Sequence, residues 1–164
     1  MLNERERERI EEEIRALESP RAAVSEALAI VQESRGWVSD EGVTDVAAAL
    51  GMSAEEVEEI ATFYELIYRR PVGKHVIHVC DSVCCWILGE ERVLAHLKGR
   101  LGVEIGGTTA DGRFTLLPIG CLGACEQAPA MMVDGEIFGD LTPEAVDGIL
   151  ARIEGGADAK AAHG

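Results

Sequence analysis

Along the first 70 residues, hydrophobic positions recur every three to four residues, the spacing of amphipathic helices. Residues 1–18, "MLNERERERIEEEIRALE", are mostly charged with a thin apolar stripe, which predicts a solvated N-terminal helix. Residues 19–70 hold three further helical segments with short connections, so we expect a small helical bundle domain there. We expect the last segment to run from 54 to 70 with Tyr64 on its buried face. Capping signals precede the segments at Ser19 with Pro20, at Ser39, and at Ser53 with Glu56.

From residue 71 the period shortens to that of β-strands, and strands then alternate with helices. The order β-α-β-β-α predicts a small α/β sandwich over residues 71–153, and the Gly/Ala-rich segment 154–164 is predicted to be a flexible tail. The predicted segments are a strand at 74–80, a helix at 87–102, a strand at 111–120, a hairpin at 130–138 and a helix from Thr142 to about Ile153.

Two cysteine-rich stretches each follow a predicted strand. They are "HVCDSVCCWILG" at 78–89 and "GCLGACEQAP" at 120–129. If the two strands are neighbours, their trailing loops lie side by side, and the thiols can surround one metal centre. The five cysteines are Cys80, Cys84, Cys85, Cys121 and Cys125.

The spacing of these cysteines favours one kind of centre over others. Structural zinc sites favour two-residue gaps between ligands, whereas here Cys80 is separated by three residues from Cys84 and by four from Cys85. Wider loops suit a two-iron cluster, and Gly123 and Ala124 leave room for backbone N–H groups to approach sulfur. Spacing alone does not decide whether Cys84 or Cys85 pairs with Cys80 as a ligand. It also leaves open a zinc site, thiol redox chemistry and buried structural thiols.

Composition narrows the remaining function classes. The 164 residues carry 15 Lys and Arg against 30 Asp and Glu, a net charge of −15, which disfavours binding to nucleic acid or anionic lipid. No apolar run approaches the roughly 20 residues that span a bilayer, and the charged start is unlike a signal peptide. We therefore expect a cytoplasmic protein without direct membrane insertion, whose cysteines are reduced rather than paired as disulfides.

The paired motifs resemble those of a known family. "VCDSVCCWILGEERVL" and "GRFTLLPIGCLGACEQAPAMMV" are similar to the 24-kDa-type [2Fe-2S] subunits, the E subunits, of bacterial NADH:quinone oxidoreductase, respiratory complex I. The helical stretch before them resembles the same family, so the resemblance covers about residues 20–152. It implies a thioredoxin-like [2Fe-2S] ferredoxin domain preceded by a small N-terminal helical bundle.

The resemblance also implies a ligand set and a role. The family pattern is Cys-x4-Cys followed later by Cys-x3-Cys, which leaves Cys84 without a ligand role. The implied function is electron transfer within the NADH-oxidising module, in exchange with FMN on a larger partner subunit that also binds NADH. The implied location is the peripheral arm on the cytoplasmic side of the inner membrane. The implied ligands of one [2Fe-2S] cluster are Cys80, Cys85, Cys121 and Cys125.

Two alternative functions stay open at this point. The equivalent subunit of an NAD-linked hydrogenase or formate dehydrogenase shares both cysteine motifs. A zinc-stapled interaction module would use the same thiols without redox chemistry. The chain lacks a glycine-rich nucleotide fingerprint after its strands, so we expect it to bind neither FMN nor NADH by itself. We also expect a cis peptide bond before Pro129, at the start of a strand.

Overall fold

The computed structural model describes residues 1–156 and divides into two compact units, Met1–Val72 and a second that begins at Gly73. The first unit is helical and the second mixes helices with a sheet. Across the described residues, every helix is too short or too polar to cross a membrane. Residues 157–164 of the expected tail lie outside the described part of the chain.

Four helices form the first unit: α1 (Glu4–Leu17), α2 (Val24–Arg35), α3 (Asp40–Leu50) and α4 (Ala54–Phe63). The predicted caps at Ser39 and Ser53 are present, and each side chain accepts a hydrogen bond from a backbone N–H in the first turn. Helix α1 contributes to the core rather than lying free in solvent, because Ile10 is 1% exposed and packs with the other helices. The core side chains include Leu28, Val31, Val46, Leu50 and Val57.

Two helix boundaries in this unit differ from the predictions. Helix α2 begins at Val24, because residues 19–23 form a turn in which the N–H of Ala23 bonds to the carbonyl of Ser19 at 3.3 Å. Helix α4 ends at Phe63, and Tyr64 is extended and 48% exposed. Tertiary hydrogen bonds hold the segment after it, since the Gln32 amide bonds to the Leu66 carbonyl at 2.8 Å and to the N–H of Tyr68 at 2.6 Å.

The second unit contains a four-stranded sheet in the order β2-β1-β3-β4. Its elements are β1 (His75–Cys80), α5 (Val83–Ile87), α6 (Glu90–Leu101), β2 (Phe114–Ile119), β3 (Met131–Val133), β4 (Glu136–Phe138) and α7 (Pro143–Glu154). Strand β1 runs parallel to β2 and antiparallel to β3, and β3 and β4 form the predicted hairpin. All six residues of β1 are buried, so side chains on both faces of this central strand are covered.

The core of this unit lies between the sheet and helices α6 and α7. It is built from strand residues such as Ile77, Leu116 and Met131, packed with Leu97 of α6 and Leu150 of α7, all of them fully buried. Helix α6 lies in the connection between the parallel strands β1 and β2, as a crossover between parallel strands requires. This arrangement places the ends of β1 and β2 at one edge of the sheet.

The β3–β4 hairpin is tied to β1 through the side chain of Asp134. Asp134 and Gly135 both have positive φ, 51° and 92°, as a tight two-residue hairpin turn requires. One carboxylate oxygen of Asp134 accepts a hydrogen bond from the N–H of Val76 at 2.9 Å, and the other lies 2.6 Å from Nδ1 of His75. These contacts fix the turn against the first residues of β1.

Candidate metal centre

The two cysteine-bearing loops leave neighbouring parallel strands at the same edge of the sheet. Cys80, the last residue of β1, is paired in register with Ile119, the last residue of β2. The first loop continues into the short helix α5, which carries Cys84 and Cys85. The second loop leads from β2 through Cys121 to a 3-10 turn at Cys125–Gln127. The sequence pattern did not predict α5, because a run of five residues is too short for helical periodicity to show.

The two loops bring their thiols within range of one another. Cys80 contributes to the pKa shifts of Cys85 and Cys121, and Cys121 and Cys125 contribute to each other's pKa shifts. Cys84 contributes most to the pKa shift of Cys125. The predicted convergence of the two loops at the ends of β1 and β2 is therefore present.

The five thiols differ sharply in exposure. Cys80 and Cys85 are each 2% exposed, Cys84 is half-buried, and Cys121 and Cys125 are exposed. The buried pair packs in a small apolar cluster with side chains from the sheet end and the following loop. That cluster contains Ile119, Ala130 and Met132, with Leu122, Ala124 and Ala128 at its margin. One side of the group is therefore dry and the other faces solvent.

Local donors and burial shift the pKa values of these thiols in opposite directions. Burial, followed by the hydrogen bond with Cys80, raises the pKa of Cys85 to about 11. The neighbouring Cys84 thiol raises the pKa of Cys125 to about 11. The backbone N–H of Gly123, 3.4 Å from the Cys121 sulfur, lowers the pKa of Cys121 because it stabilises the thiolate.

The donor set fits the needs of an iron–sulfur cluster. Sulfur donors from two loops, with a backbone N–H already directed at one sulfur, match the ligand chemistry of a two-iron cluster. Gly123 has φ +74°, a conformation that places this N–H at low steric cost. Within residues 1–156, no three His, Cys, Asp or Glu side chains are arranged around a point to hold a single metal ion. The expected cis bond is present between Ala128 and Pro129.

The chain after β4 packs directly on the loop that carries Cys125. The N–H of Asp140 bonds to the Gln127 carbonyl at 2.6 Å, and a Cβ on Gly139 would lie 2.8 Å from that oxygen and overlap the Gln127 side chain. We expect Gly139→Ala to displace the turn at Cys125–Gln127, with a loss of about 1–3 kcal/mol in unfolding free energy, the usual effect of overpacking. Urea unfolding and the alkylation rate of Cys125 measure these two effects.

Gly148→Ala is the matched control for this change. Gly148 lies in α7 with no atom within 4 Å of an added Cβ, so alanine there should stabilise the helix by about 0.5–1 kcal/mol. A Gly139→Ala chain that matches the original in both stability and Cys125 alkylation would contradict the steric argument.

Helix α5 also presents an apolar surface beside the thiols. We call it the α5 patch; its side chains are between 58% and 68% exposed, and they are Val83, Trp86, Ile87 and Leu88. Acidic residues follow at Glu90 and Glu91, and Glu91 Oε1 accepts a hydrogen bond from the Trp86 indole at 3.3 Å. Four large apolar side chains exposed together are typical of a surface that another protein covers.

Comparison with known proteins places the chain in a family. The family model described as thioredoxin-like [2Fe-2S] ferredoxin matches residues 10–154. Among the E subunits of NADH-quinone oxidoreductases, that of Pseudomonas aeruginosa is 51% identical over 150 residues, which cover 92% of this chain and 90% of that protein. That of Escherichia coli is 51% identical over 151 residues, covering 92% and 91%. The chain belongs to this family of thioredoxin-like [2Fe-2S] ferredoxins.

Membership of this family confirms the resemblance drawn from the cysteine motifs, and it confirms the predicted fold class. A solved NAD+-reducing [NiFe]-hydrogenase has a similar fold, with a TM-score of 0.69 and 23% identity. That match covers 83% of this chain and 24% of the hydrogenase chain, so this chain spans about a quarter of it.

Proposed function

We propose that this chain is the electron-transfer subunit of an NADH-quinone oxidoreductase and carries one [2Fe-2S] cluster. Its ligands are Cys80, Cys85, Cys121 and Cys125, and Cys84 stays free. The observation that carries the proposal is the convergence of these thiols from two loops at the ends of β1 and β2, in a member of the family of E subunits. The bound cluster supplies one-electron chemistry.

The residues of this chain contribute shielding and hydrogen bonding at that site. Cys80 and Cys85 lie in the dry cluster of apolar side chains, which keeps water from the inner side of the centre. On the outer side, the Gly123 N–H donates to Cys121 and stabilises negative charge on sulfur. The acidic surroundings, with Glu90 and Glu91 on α6, act in the opposite sense because they disfavour added negative charge.

The proposed electron partner is FMN on a larger subunit that also binds NADH. The α5 patch supports a protein partner at this edge, since it adjoins the thiols and is apolar and exposed. In this assignment the chain is peripheral to the membrane, on its cytoplasmic side, and is held there by the rest of the complex. The 51% identity to named E subunits over 92% of the chain favours this assembly over the related hydrogenase or formate dehydrogenase.

Elemental analysis with spectroscopy tests the cluster directly. We expect the chain purified without oxygen to contain about two irons and two acid-labile sulfides, to bleach on dithionite reduction and to give a rhombic EPR signal. Cys121→Ser, which removes a proposed ligand, should abolish or shift that signal. A single zinc per chain with no EPR signal after reduction would instead support the zinc-stapled module.

Pull-down from cells tests the partner assignment. A tagged chain should capture a flavin-containing subunit that oxidises NADH, whereas the purified chain alone should bind neither FMN nor NADH. Trp86→Asp places a charge in the α5 patch and should reduce this capture without changing the EPR signal, because the side chain points to solvent. Capture of a hydrogenase or formate dehydrogenase subunit would move the chain to the alternative assembly.

A further inference from the structure

Helices α3 and α4 of the first unit leave a shallow groove between them. The groove has a volume of about 450 Å³, and most of its surface is apolar. We call it the α3–α4 groove; its apolar part includes Val43 and the methyl group of Thr44 from α3 and Ala54 from α4. Residues of α4 three and four positions apart form the other wall, as expected for one face of a helix.

Arg69 shows which chemistry the α3–α4 groove accepts. Its guanidinium donates to a carboxylate oxygen of Glu58 at 2.9 Å and to one of Asp40 at 2.8 Å. It also donates to the carbonyl of Val38. The side chain is only 18% exposed, so a guanidinium from the chain itself is held against the groove by carboxylates. The planar, weakly hydrated guanidinium is well suited to such pairing.

Two further carboxylates line the same groove without a cation. Of the four acidic residues of α4, Glu56 and Glu58 are ion-paired. Glu55 and Glu59 are exposed, line the groove and form no ion pair within residues 1–156. They are four residues apart on one helix, a spacing at which like charges repel and at which one cation can contact both carboxylates.

We propose that the α3–α4 groove binds a basic segment of a partner protein, with an arginine between Glu55 and Glu59 and an apolar side chain against Val43 and Ala54. Charge complementarity selects this occupant, because four carboxylates and one guanidinium line the groove, and an acidic or phosphorylated segment would be repelled. The inference is independent of the proposed function, since it involves the helical unit alone and no thiol. It adds a second interaction surface to the α5 patch.

A peptide titration of the full-length, isotope-labelled chain tests this assignment. The probe is an acetylated and amidated peptide of three Ala-Ala-Leu-Arg repeats, and the reference peptide has Gln in place of Arg. We expect the Arg peptide to shift the amide NMR signals of residues 40–44 and 54–62, and the Gln peptide to bind about tenfold more weakly. Added salt should weaken binding of the Arg peptide, because salt screens exposed charges.

Three variants locate the binding site. Glu55→Gln combined with Glu59→Gln should weaken binding of the Arg peptide about tenfold. Thr44→Phe narrows the groove without changing its charge and should also weaken binding. A net charge of −15 attracts basic peptides to the whole surface, so the matched control removes two exposed carboxylates of the same spacing on α1. That control is Glu8→Gln combined with Glu12→Gln, which should change the affinity by no more than about twofold.

All the substituted side chains are exposed, so we expect urea unfolding to show that each variant folds. Equal loss of binding in the two double variants, or amide shifts confined to other residues, would overturn the inference. Equal binding of the Arg and Gln peptides would overturn it as well. Dimerisation of the chain in sedimentation experiments that Thr44→Phe abolishes would assign the groove to a second copy and also contradict the proposal.

Discussion

Replacing Cys85 with serine is expected to abolish or shift the visible and EPR signals of the reduced chain, whereas replacing Cys84 with serine should leave them nearly unchanged. The two residues are adjacent, so the pair is its own matched control. Cys85 is 2% exposed and lies with Cys80 in the apolar cluster at the end of the sheet. Cys84 is half-buried and lies outside that cluster.

Serine at either position changes little in volume, so loss of signal reports ligation rather than misfolding. Thermal unfolding of both variants without the cluster checks this point, and we expect their unfolding temperatures to differ little. An intact signal in Cys85→Ser together with its loss in Cys84→Ser would exchange the two assignments and give Cys80 and Cys84 as the first ligand pair.

The second large effect is expected at the start of the helical unit, where Glu6→Gln should destabilise the protein at neutral pH. The Glu6 side chain is 2% exposed and takes two hydrogen bonds from Arg35, at 2.8 and 2.9 Å. These bonds, ahead of every other influence, lower the pKa of Glu6 from 4.5 to about 2. A shift of that size corresponds to a loss of up to about 3 kcal/mol of unfolding free energy when the charge is removed.

The pH dependence follows from the direction of this shift. Because the pKa of Glu6 is lower in the folded chain, its contribution is complete above about pH 5 and fades as the pH falls toward 2. The difference in stability between the original chain and Glu6→Gln should therefore shrink over that interval. Urea unfolding followed by Trp37 fluorescence in a Trp86→Phe background measures the helical unit separately.

Glu8→Gln is the control for the change in net charge. Glu8 lies on the same helix but is exposed, so its replacement should alter stability by no more than about 0.5 kcal/mol. Glutamine at position 6 can still accept the hydrogen bond that the Asn3 N–H donates at 2.9 Å, so capping of α1 is retained. Equal effects of the two variants, or a difference that does not change between pH 5 and 3, would contradict the buried ion pair.

Local signals in the sequence predicted those elements whose ends are determined by nearby residues. Ser39 and Ser53 start their helices through their own side chains, and Asp134 with Gly135 forms the hairpin turn. The end of α4 could not be predicted, because Gln32, more than 30 residues away, supplies hydrogen bonds to the non-helical segment that follows. Tertiary contacts outweighed helix propensity there.

The candidate site was likewise predicted from the sequence only in part. The order of strands and cysteines predicted that the two loops converge, since both follow strands that turned out to be parallel neighbours. The short helix α5 could not be predicted, and it determines that Cys85 lies in the apolar cluster while Cys84 lies outside it. The spacing of the cysteines along the chain does not show which of the two adjacent thiols, Cys84 or Cys85, points inward.

The bonds of Asp134 to the start of β1 also help to hold the opposite end of that strand in position. If β3 slipped by one residue along β1, every β3 side chain would change faces, and the turn carboxylate would no longer meet the N–H of Val76 and the ring of His75. The slipped pairing would lose both of these partly buried bonds. Asp134 therefore fixes the register of β3 against β1. Through that register it helps to position Cys80 at the other end of β1, although its side chain is not in contact with the thiol.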